Sequence, residues 1–325
     1  MTSSNAAAIV PATNKFSTAT PKVSIVTPSY NQGHFIERTI LSVLRQDYPN
    51  LQYIVLDSLS KDKTHDILGR YRERISIVVE EKDKGQADAI NTGFRKADGE
   101  ILAYLNSDDV YASPDTVSKA VQFLVQNQST DLVYGKRYYI DVNGYYYLSY
   151  PYRPFNHEQV IKACYIPQEC CFWTKDIYER SGSRVNESYH FAMDYELWLR
   201  FLKNGAQFAS VDDVWGYFRW YPGQKSTEEW EKHGLPEIAK LQTEYFGSHT
   251  PADVMSDIFM EHYSTVSKMS DVKRFSLYNR VWHEEVKLKQ SLFRFAPIDH
   301  WVFQRPNSKD VNADEYRVRR ENQGR

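Results

Sequence analysis

The sequence predicts an α/β fold with a mostly parallel central sheet flanked by helices, and three observations support this. Short apolar and β-branched runs, typical of strands, alternate with helical patterns at intervals of roughly 25 residues. Several of these runs end in polar or charged residues, as expected at the ligand-binding edge of such a sheet. The 325 residues, 42% hydrophobic and 25% charged, are enough for one large domain with or without an extension.

The apolar runs and the helical periodicity define the elements in chain order. Pro28 is expected to end the first strand, Asn31 to cap the first helix, and Ser60 or Asp62 to cap the second. The predicted strands cover 23–26, 51–56, 75–79, 100–104, 131–135, a hairpin over 138–150 that turns at Asn143-Gly144, 170–174, 207–211 and 214–220. The predicted helices cover 34–46, a segment with Ile67, Leu68 and Tyr71, a segment after Gly85 with Ile90 and Phe94, 114–126, and a segment that starts at Met193.

The chain is predicted to have three parts. Residues 1–20 contain Lys15 as their only charge and are expected to form a flexible tail, 21–227 the main domain, and 228–325 a helical extension with a polar tail. The extension has helical patterns at 238–245 and 281–288. It is compatible with a cap over the acceptor site, a homodimer contact or a peripheral membrane contact. The sequence has no apolar stretch long enough to span a bilayer, so any membrane association is expected to be peripheral.

Charge, cysteines and glycines exclude several classes of protein. The net charge of −2 and the scattered basic residues give no electrostatic footprint for a nucleic acid. The three cysteines lack the spacing of a zinc site or a disulfide framework, which fits a reducing, cytoplasmic compartment. No two of the 14 glycines lie two positions apart, so the Rossmann fingerprint is absent, and the P-loop pattern is absent too.

Two adjacent carboxylates, Asp108 and Asp109, follow the predicted buried strand 100–104. Clustered carboxylate oxygens suit Mg²⁺ or Mn²⁺, whereas an isolated Asp-Asp pair commonly solvates a turn or caps a helix. In a parallel sheet the loop 27–31, Asp57, the loop around Asp83 and residues 106–109 all lie at one edge. This convergence favours a site for a metal and a diphosphate.

Separate blocks of this sequence resemble the family 2 glycosyltransferases. The blocks are 23–31 (VSIVTPSYN), Asp57, 84–91 (KGQADAIN), 105–109 (LNSDD) and 193–200 (MDYELWLR), and the similarity extends over about residues 21–226. The resemblance implies the A-type glycosyltransferase fold. It also implies transfer of a sugar from a nucleotide-diphosphate donor to an acceptor hydroxyl, with inversion of the anomeric centre.

The resemblance implies a role for each matching residue at the donor. Asp108 and Asp109 would hold Mg²⁺ or Mn²⁺, with Asn106 and Asp108 near the ribose, and the family usually has an acid where this chain has Asn106. Asp57 would accept from the base, the alternative being a loop cap, and Asp88 would contact the donor, the alternative being a solvated helix acid. The remaining donor contacts would be the base walls Thr27, Pro28 and Tyr30 and the loop cations Arg219 and Lys225, which would clamp the diphosphate.

Inverting transfer needs a base within reach of the acceptor hydroxyl, and the resemblance assigns it to Asp194. The alternatives are that Asp194 only stabilises a helix N-terminus, or that Glu196 is the base. Gln168 and Glu169 would lie near the acceptor pocket.

The expected function is a cytoplasmic, metal-dependent, inverting glycosyltransferase in bacterial surface or exported polysaccharide synthesis. A peripheral position on the inner face of the membrane is compatible with this expectation. The donor would be a UDP-, GDP- or dTDP-sugar and the acceptor a saccharide or a lipid-linked saccharide. Residues 216–220 (GYFRW) lack the glutamine of the processive Q-x-x-R-W motif, so single-sugar addition is expected. A non-catalytic carbohydrate- or nucleotide-sugar-binding protein and a nucleotidyltransferase are the alternatives.

Overall fold

The computed structural model of the chain describes residues 15–144, 146–149 and 153–251, with the backbone alone for 146–149. The strands are β1 Val23–Ser29, β2 Leu51–Asp57, β3 Ile77–Glu80, β4 Ile101–Tyr104, β5 Val110–Tyr111, β6 Leu132–Ile140, β7 Tyr146–Ser149, β8 Cys171–Thr174 and β9 Phe208–Arg219. The α-helices are α1 Ile36–Leu44, α2 Thr64–Tyr71, α3 Gln86–Lys96, α4 Thr116–Gln126, α5 His157–Lys162, α6 Lys175–Arg180, α7 Met193–Lys203, α8 Lys225–Glu228 and α9 Leu235–Phe246.

The strands form one sheet in the order β3-β2-β1-β4-β8-β6-β9-β5, with β7 paired to β6. The first four strands in that order are parallel, and β8 joins β4 in the antiparallel direction. Beyond β8 the sheet is mixed, because β6 pairs in parallel with β9 and antiparallel with β7 and β8. The α/β fold class predicted from the sequence is confirmed.

Apolar side chains point to both faces of the sheet, and helices cover both faces. In β1, Ile25 joins the core beneath α1, α2 and α4, whereas the next residue, Val26, joins the core beneath α3, α7 and α9. This alternation follows from the two-residue period of a strand. It also explains why β1 is buried along its whole length.

The first strand is longer than the sequence predicts, since β1 continues through Pro28 to Ser29. Val26 accepts a hydrogen bond on the β4 side, from the N–H of Leu105. Pro28, two residues on, faces the same side. The pairing of β1 with β4 ends at Val26. No β4 residue therefore needs the N–H that Pro28 lacks, and the proline is tolerated in the strand. Pairing with β2 continues to the end of the strand.

Strands 207–211 and 214–220, predicted separately, form the single strand β9. The register between β6 and β9 shifts where Ser210 pairs with Tyr134 and Val214 pairs with Lys136. The polar pair Asp212-Asp213 falls at this bulge, which explains why the sequence suggests a break there. The predicted segments 131–135 and 138–140 are likewise one strand, β6. The short elements β5, α5 and α6 were missed, because they are too brief to show a period.

Both ends of the described chain contact the main core. Lys15 and Phe16 belong to the segment assigned to the tail, yet the ammonium of Lys15 lies 2.7 Å from a carboxylate oxygen of Asp131 and Phe16 is buried. In α9, Ile238 and Leu241 are buried in the core that also contains α7. Residues 1–14, the end of the predicted hairpin and the predicted helix at 281–288 lie outside the described residues. No helix in the described ranges is both long and apolar enough to cross a membrane.

Candidate active site

Three parallel strands end at the same edge of the sheet and bring polar residues there. Asp57, the last residue of β2, lies level with Ser29, the last residue of β1. The loop 106–109 follows β4, which pairs with β1 on its other side. The acids predicted from the sequence at the strand ends therefore do share one edge of the sheet.

Asp57 is buried and its two oxygens contact its own loop. Oδ2 accepts from the backbone N–H of Ser60 at 2.8 Å, and Oδ1 accepts from the Ser60 hydroxyl at 2.6 Å. These are the contacts of a loop cap, the alternative that the sequence left open. Each carboxylate oxygen has a second lone pair, so the contacts do not exhaust its capacity to accept.

The loops after β1 and β2 are joined to each other by polar side chains. Asn31, in the left-handed region at φ 53°, accepts from the N–H of Lys61 at 2.9 Å. Asp62 accepts from the N–H of Gly33 at 2.8 Å. The predicted caps are therefore wrong for Asn31 and Ser60, because neither α1 nor α2 has a side-chain hydrogen bond at its N-cap residue and both side chains bond within these loops. Asp62, the other predicted cap of α2, is not its N-cap residue, but its carboxylate accepts from the N–H of Thr64, the first residue of the helix.

The three residues expected to wall the base lie in different surroundings. Thr27 is fully buried in β1, where its hydroxyl accepts from the Tyr53 hydroxyl at 3.2 Å. Pro28 is buried in the same strand, whereas Tyr30 is 59% exposed. Of the three side chains, the Tyr30 ring is the one that is accessible to a ligand.

Asp109 is 1% exposed, so its side chain is buried at this edge of the sheet. Its Oδ1 accepts from the backbone N–H of Arg219 at 2.9 Å, and its backbone carbonyl accepts from the Thr39 hydroxyl at 2.7 Å. Its Oδ2 is buried without a hydrogen-bond partner among the residues that the structure describes. Burial, with the nearby Asp108 and Glu169 charges, holds the pKa of Asp109 well above its ordinary value.

Arg219 does not lie in a loop, as the sequence suggested, because it is the buried last residue of β9. Its Nε donates to the carbonyl of Asp108 at 2.8 Å, and its Nη1 donates to the carbonyl of Asp141 at 2.8 Å. The guanidinium also stacks over the Phe35 ring, 4.9 Å from its centroid. Burial lowers the pKa of Arg219 to about 10, and the cation remains charged at neutral pH. Arg219 therefore stabilises the loop of Asp108 and Asp109 from its buried side.

Asp108 is the more accessible of the two adjacent acids. Its Oδ2 accepts from the Tyr221 hydroxyl at 3.0 Å and lies 3.5 Å from Nε2 of Gln224. Burial raises the pKa of Asp108, although these donors and the Arg219 charge oppose the rise. The sequence did not point to Tyr221 or Gln224, which follow β9 without a recognisable motif.

Asn106 joins two glutamines in a continuous chain of polar side chains. Its Oδ1 accepts from Nε2 of Gln86 at 2.8 Å, and its Nδ2 donates to Oε1 of Gln168 at 3.3 Å. Gln168 is itself held by a 2.6 Å bond from Nε2 to the carbonyl of Tyr104. At the other end, the ammonium of Lys225, the first residue of α8, donates to Oε1 of Gln86 at 3.0 Å.

Asp88 lies in the first turn of α3, where it accepts from the backbone N–H of Lys84 at 3.0 Å. Gly85 between them adopts φ 131°, which favours glycine, and precedes the helix. This local contact matches the alternative of a helix acid more directly than a contact with the donor.

Asp194 is half-buried in the first turn of α7. Its Oδ1 accepts from the N–H of Tyr195 at 2.7 Å. Burial raises the pKa of Asp194, and the nearby positive charges of Arg137 and Lys225 oppose the rise. A carboxylate with a raised pKa is a stronger base than an ordinary one, which suits proton abstraction.

Glu196 forms a buried ion pair with Arg200 on the same helix. The two carboxylate oxygens accept from Nε and Nη2, each at 2.9 Å. Arg200 also donates to the backbone carbonyls of Ser181 and Arg184. Glu196 thus stabilises packing around α7.

Arg137 and Glu169 form a second buried pair that the sequence did not reveal as a pair. Nε of Arg137 lies 3.1 Å from Oε1 of Glu169, and both side chains are largely buried. The Arg137 charge also acts on Asp194. Arg137 was missed because it lies between two predicted strand segments, in a stretch that forms part of one continuous strand.

The acids at this edge fit a divalent cation bound together with a ligand. Within the described ranges, no group of three or more His, Cys, Asp and Glu side chains is arranged to hold a metal ion. Mg²⁺ is commonly held by one or two carboxylates plus substrate phosphates, so a closed protein cage is not required. Asp108 is only partly buried, and Oδ2 of the neighbouring Asp109 has no hydrogen-bond partner in the part of the chain that the structure describes. The paired, poorly compensated carboxylates favour a cation.

A model of the family described as "Glycosyl transferase family 2" matches residues 24–201. The match contains Asp57, both carboxylates of the 106–109 loop and Asp194. It stops before β9 and α8, which supply Arg219 and Lys225.

Two named relatives each match about two thirds of the chain. The putative teichuronic acid biosynthesis glycosyltransferase TuaG of Bacillus subtilis (strain 168) is 27% identical over 65% of this chain and 84% of its own. The UDP-Glc:alpha-D-GlcNAc-diphosphoundecaprenol beta-1,3-glucosyltransferase WfaP of Escherichia coli is 29% identical over 65% of this chain and 82% of its own.

Solved structures support the fold. S. aureus TarS 1-349 in complex with UDP-GlcNAc has a TM-score of 0.57 at 19% identity, covering 79% of this chain and 75% of TarS. The mannosyltransferase PcManGT of Pyrobaculum calidifontis, in complex with GDP-Man and Mn²⁺, has a TM-score of 0.54 at 19% identity, covering 87% of this chain and 83% of its own. The predicted A-type glycosyltransferase architecture is confirmed by this likeness.

Proposed function

The chain belongs to glycosyl transferase family 2 and is a glycosyltransferase, and we propose that it moves one sugar from a nucleotide-diphosphate donor to an acceptor hydroxyl with inversion. Relatives named for teichuronic acid biosynthesis and for glucosyl transfer to a diphosphoundecaprenol-linked sugar support a role in bacterial surface or exported polysaccharide synthesis. We assign the three roles of donor binding, leaving-group stabilisation and proton abstraction to residues at the sheet edge.

The observation that favours this function most is the position of the start of α8 between two acids. Gln224 contacts Asp108 at 3.5 Å, and the charge of its neighbour Lys225 acts on Asp194. A donor diphosphate at Asp108 and an acceptor hydroxyl at Asp194 would therefore lie on opposite sides of one short segment, residues 224–225. Inverting transfer needs this separation of the leaving group from the base.

The diphosphate end of the proposed site is built on Asp108. A bound Mg²⁺ or Mn²⁺, held by Asp108 with Asp109 behind it, would neutralise negative charge on the leaving diphosphate. Lys225 is half-buried, and burial lowers its pKa. Its ammonium is therefore poorly hydrated and would gain from a phosphate partner. Arg219 contributes by holding the loop of Asp108 in place, not by contacting the phosphates.

The acceptor end is built on Asp194. We assign Asp194 as the base that takes the proton from the acceptor hydroxyl while the sugar moves to the resulting oxygen. The charges of Arg137 and Lys225 oppose the rise in the pKa of Asp194 that burial causes, and so favour its carboxylate form. Glu196 is engaged with Arg200, so it is poorly placed to substitute for Asp194.

The base of the donor is proposed to lie between Tyr30 and Asp57. Tyr30 offers an exposed ring for stacking, and Asp57 offers the remaining lone pairs of its carboxylate. TarS and PcManGT were solved with UDP-GlcNAc and GDP-Man, which supports testing uridine and guanosine donors as well as dTDP-sugars. Asn106 and Asp88 are proposed to lie near the ribose and the donor sugar.

The acceptor is proposed to be a lipid-linked saccharide, by likeness to the E. coli relative, whose name specifies a diphosphoundecaprenol carrier. With such an acceptor, the transfer would take place at the cytoplasmic face of the membrane.

The described part of the predicted extension, including α9, packs on the core beside α7. We therefore place the boundary of the catalytic domain beyond α9.

Donor binding tests the proposal directly. We expect one of the UDP-, GDP- or dTDP-sugars to raise the melting temperature in the presence of Mn²⁺ and to lose most of this effect in EDTA. A ligand at 100 times its dissociation constant stabilises the folded state by about 2.7 kcal/mol, which such an assay resolves. Stabilisation of equal size in EDTA would refute the metal role.

Transfer is tested with Asp194→Asn. We expect donor binding to be retained within about twofold and turnover to fall by about two orders of magnitude or more, the usual scale for loss of a general base. Glu196→Gln is the matched control on the same helix: its effect should lie in stability and not specifically in turnover. Wild-type turnover in Asp194→Asn would show that the base is misassigned.

A further inference from the structure

Glu237, in the first turn of α9, binds the chain just before α7. Its carboxylate accepts from three successive backbone N–H groups, those of His190 at 3.0 Å and of Phe191 and Ala192 at 2.8 Å each. Oε1 accepts the first bond and Oε2 accepts the other two. One acid, 45 or more positions away in the chain, therefore binds the entire entry to α7.

These bonds fix the segment that leads into α7, whose N-cap residue has no capping side chain. The first N–H groups of a helix have no partner within it and are usually satisfied by a side chain at the N-cap position. The N-cap of α7 is Ala192, which has no side chain able to accept. The Glu237 carboxylate instead accepts from the N–H of Ala192 itself and of the two residues before it, and its negative charge interacts favourably with the helix dipole.

We propose that Glu237 is a positioning residue for Asp194, an inference that rests on the proposed role of Asp194 as the base. Asp194 is the second residue of α7, two positions after Ala192. Any fraying or rotation of this first turn moves the Asp194 carboxylate directly. A misplacement of about 1 Å at a reacting group can cost about 10²-fold in rate.

The rest of α9 is anchored well enough to hold Glu237 in place. Ile238, its neighbour, is 1% exposed, and Leu241 is fully buried one turn later. Both belong to the core that contains α7. The Glu237 carboxylate is thus fixed to the same core as the helix whose entry segment it binds.

The experiment compares Glu237→Ala and Glu237→Gln with Glu244→Ala in the full chain. Glu244 is the matched control, because it also lies on α9 and accepts a side-chain bond, from the Tyr189 hydroxyl at 2.8 Å, but does not bond the 190–192 amides. We expect kcat of Glu237→Ala to fall by about 10- to 100-fold while KM for the donor changes by less than about twofold. Glu237→Gln keeps one acceptor oxygen and should recover at least about fivefold of that loss.

Hydrogen exchange provides a measurement that does not depend on turnover. The amides of 190–192 should exchange at least about tenfold faster in Glu237→Ala than in the wild type, and at wild-type rates in Glu244→Ala. Wild-type kcat in Glu237→Ala overturns the positioning role, as does an equal loss in Glu244→Ala. If the wild type turns over no nucleotide sugar, the proposed function fails and the positioning role fails with it, whereas unchanged exchange in Glu237→Ala refutes the contact of Glu237 with the 190–192 amides alone.

Discussion

The backbone N–H of Arg219 donates to Oδ1 of Asp109 at 2.9 Å, although the two residues are 110 positions apart. The Arg219 side chain binds the carbonyl of the adjacent Asp108. The end of β9 is therefore joined at two points to the loop that follows β4. This contact, and not a loop cation facing the ligand, fixes the position of the two carboxylates.

Removing the Arg219 guanidinium should destabilise the protein strongly. Arg219→Met leaves the carbonyls of Asp108, Asp141 and Val142 without their side-chain donor, and the buried carboxyl of Asp109 without the nearby positive charge. Loss of one partner of a buried charged group costs about 3 kcal/mol or more. We expect a drop of this size in the free energy of unfolding, measured by urea denaturation.

Arg70→Met is the control for that substitution. Arg70 is 59% exposed and its Nη2 lies 3.2 Å from Oε1 of Glu37 at the surface. Exposed ion pairs contribute about 0–1 kcal/mol, so Arg70→Met should lower stability by less than about 1 kcal/mol. Equal effects of the two substitutions would contradict the buried role of Arg219.

The structure gives Asn106 a reason to be an amide. Gln168 donates through Nε2 to the Tyr104 carbonyl, so its Oε1 faces Asn106 and needs a donor. Asn106→Asp retains an acceptor for Nε2 of Gln86. It also places a carboxylate oxygen against Oε1 of Gln168, and neither of these two oxygens can donate. We expect a loss of about 1–3 kcal/mol in unfolding free energy, the cost of an unsatisfied buried polar group.

Asn50→Asp is the control for Asn106→Asp. Its Nδ2 also donates to a backbone carbonyl, that of Thr20 at 2.9 Å, but in an exposed contact that water can replace. The change in stability should stay within about 0.5 kcal/mol. If Asn106→Asp is equally harmless, the amide chain does not specify this position.

The sequence predicted the fold well where an element was long and periodic. The strands β2 and β4 and the helices α3 and α7 were predicted at nearly their true positions, because their apolar residues mark them clearly, whereas β1 was predicted only as far as Val26. β9 was predicted as two strands, because the bulge at Asp212-Asp213 interrupts the apolar pattern without ending the strand. A sequence pattern cannot distinguish a bulge from a loop.

The site was predictable only where function depends on short local blocks. Asp57, Asp108 and Asp194 each lie within or beside a recognisable block. Arg137 and Glu237 do not, because their partners are distant in sequence and are reached only through the fold. Arg219 lies beside the candidate site, as the sequence suggested, but it was expected to face the ligand, since burial of a single charged residue leaves no local signal.

The two adjacent acids should differ in their effect on metal binding. Asp108 is only partly buried, whereas Asp109 is 1% exposed and its Oδ1 accepts from the Arg219 N–H. We expect Asp108→Asn to weaken Mn²⁺-dependent nucleotide binding at least about tenfold more than Asp109→Asn does. A residue that only supports a metal ligand typically contributes about 10- to 100-fold to metal affinity, and loss of the ligand itself should cost more. Isothermal titration of Mn²⁺ in the presence of the nucleotide measures this, and the reverse order would make Asp109 the principal ligand.

The pH dependence of turnover should report the surroundings of Asp194. A base must be unprotonated, and burial raises the pKa of Asp194 above its ordinary value of 3.8, so kcat/KM should rise with pH through that raised pKa. Lys225→Met removes a positive charge that favours the carboxylate form. The pKa should then rise further, and the acid limb of kcat/KM should move to higher pH by about one unit or more.

Lys240→Met is the control for the pH profile, because Lys240 lies on the exposed side of α9 and pairs with Glu244 at 3.7 Å. Its acid limb should coincide with that of the wild type. Measuring kcat/KM between about pH 4 and pH 9 separates the two effects of Lys225→Met, since a weaker hold on the diphosphate lowers the whole profile whereas the loss of charge beside Asp194 displaces its limb. A lowered profile with an unmoved limb would mean that Lys225 acts on the donor alone.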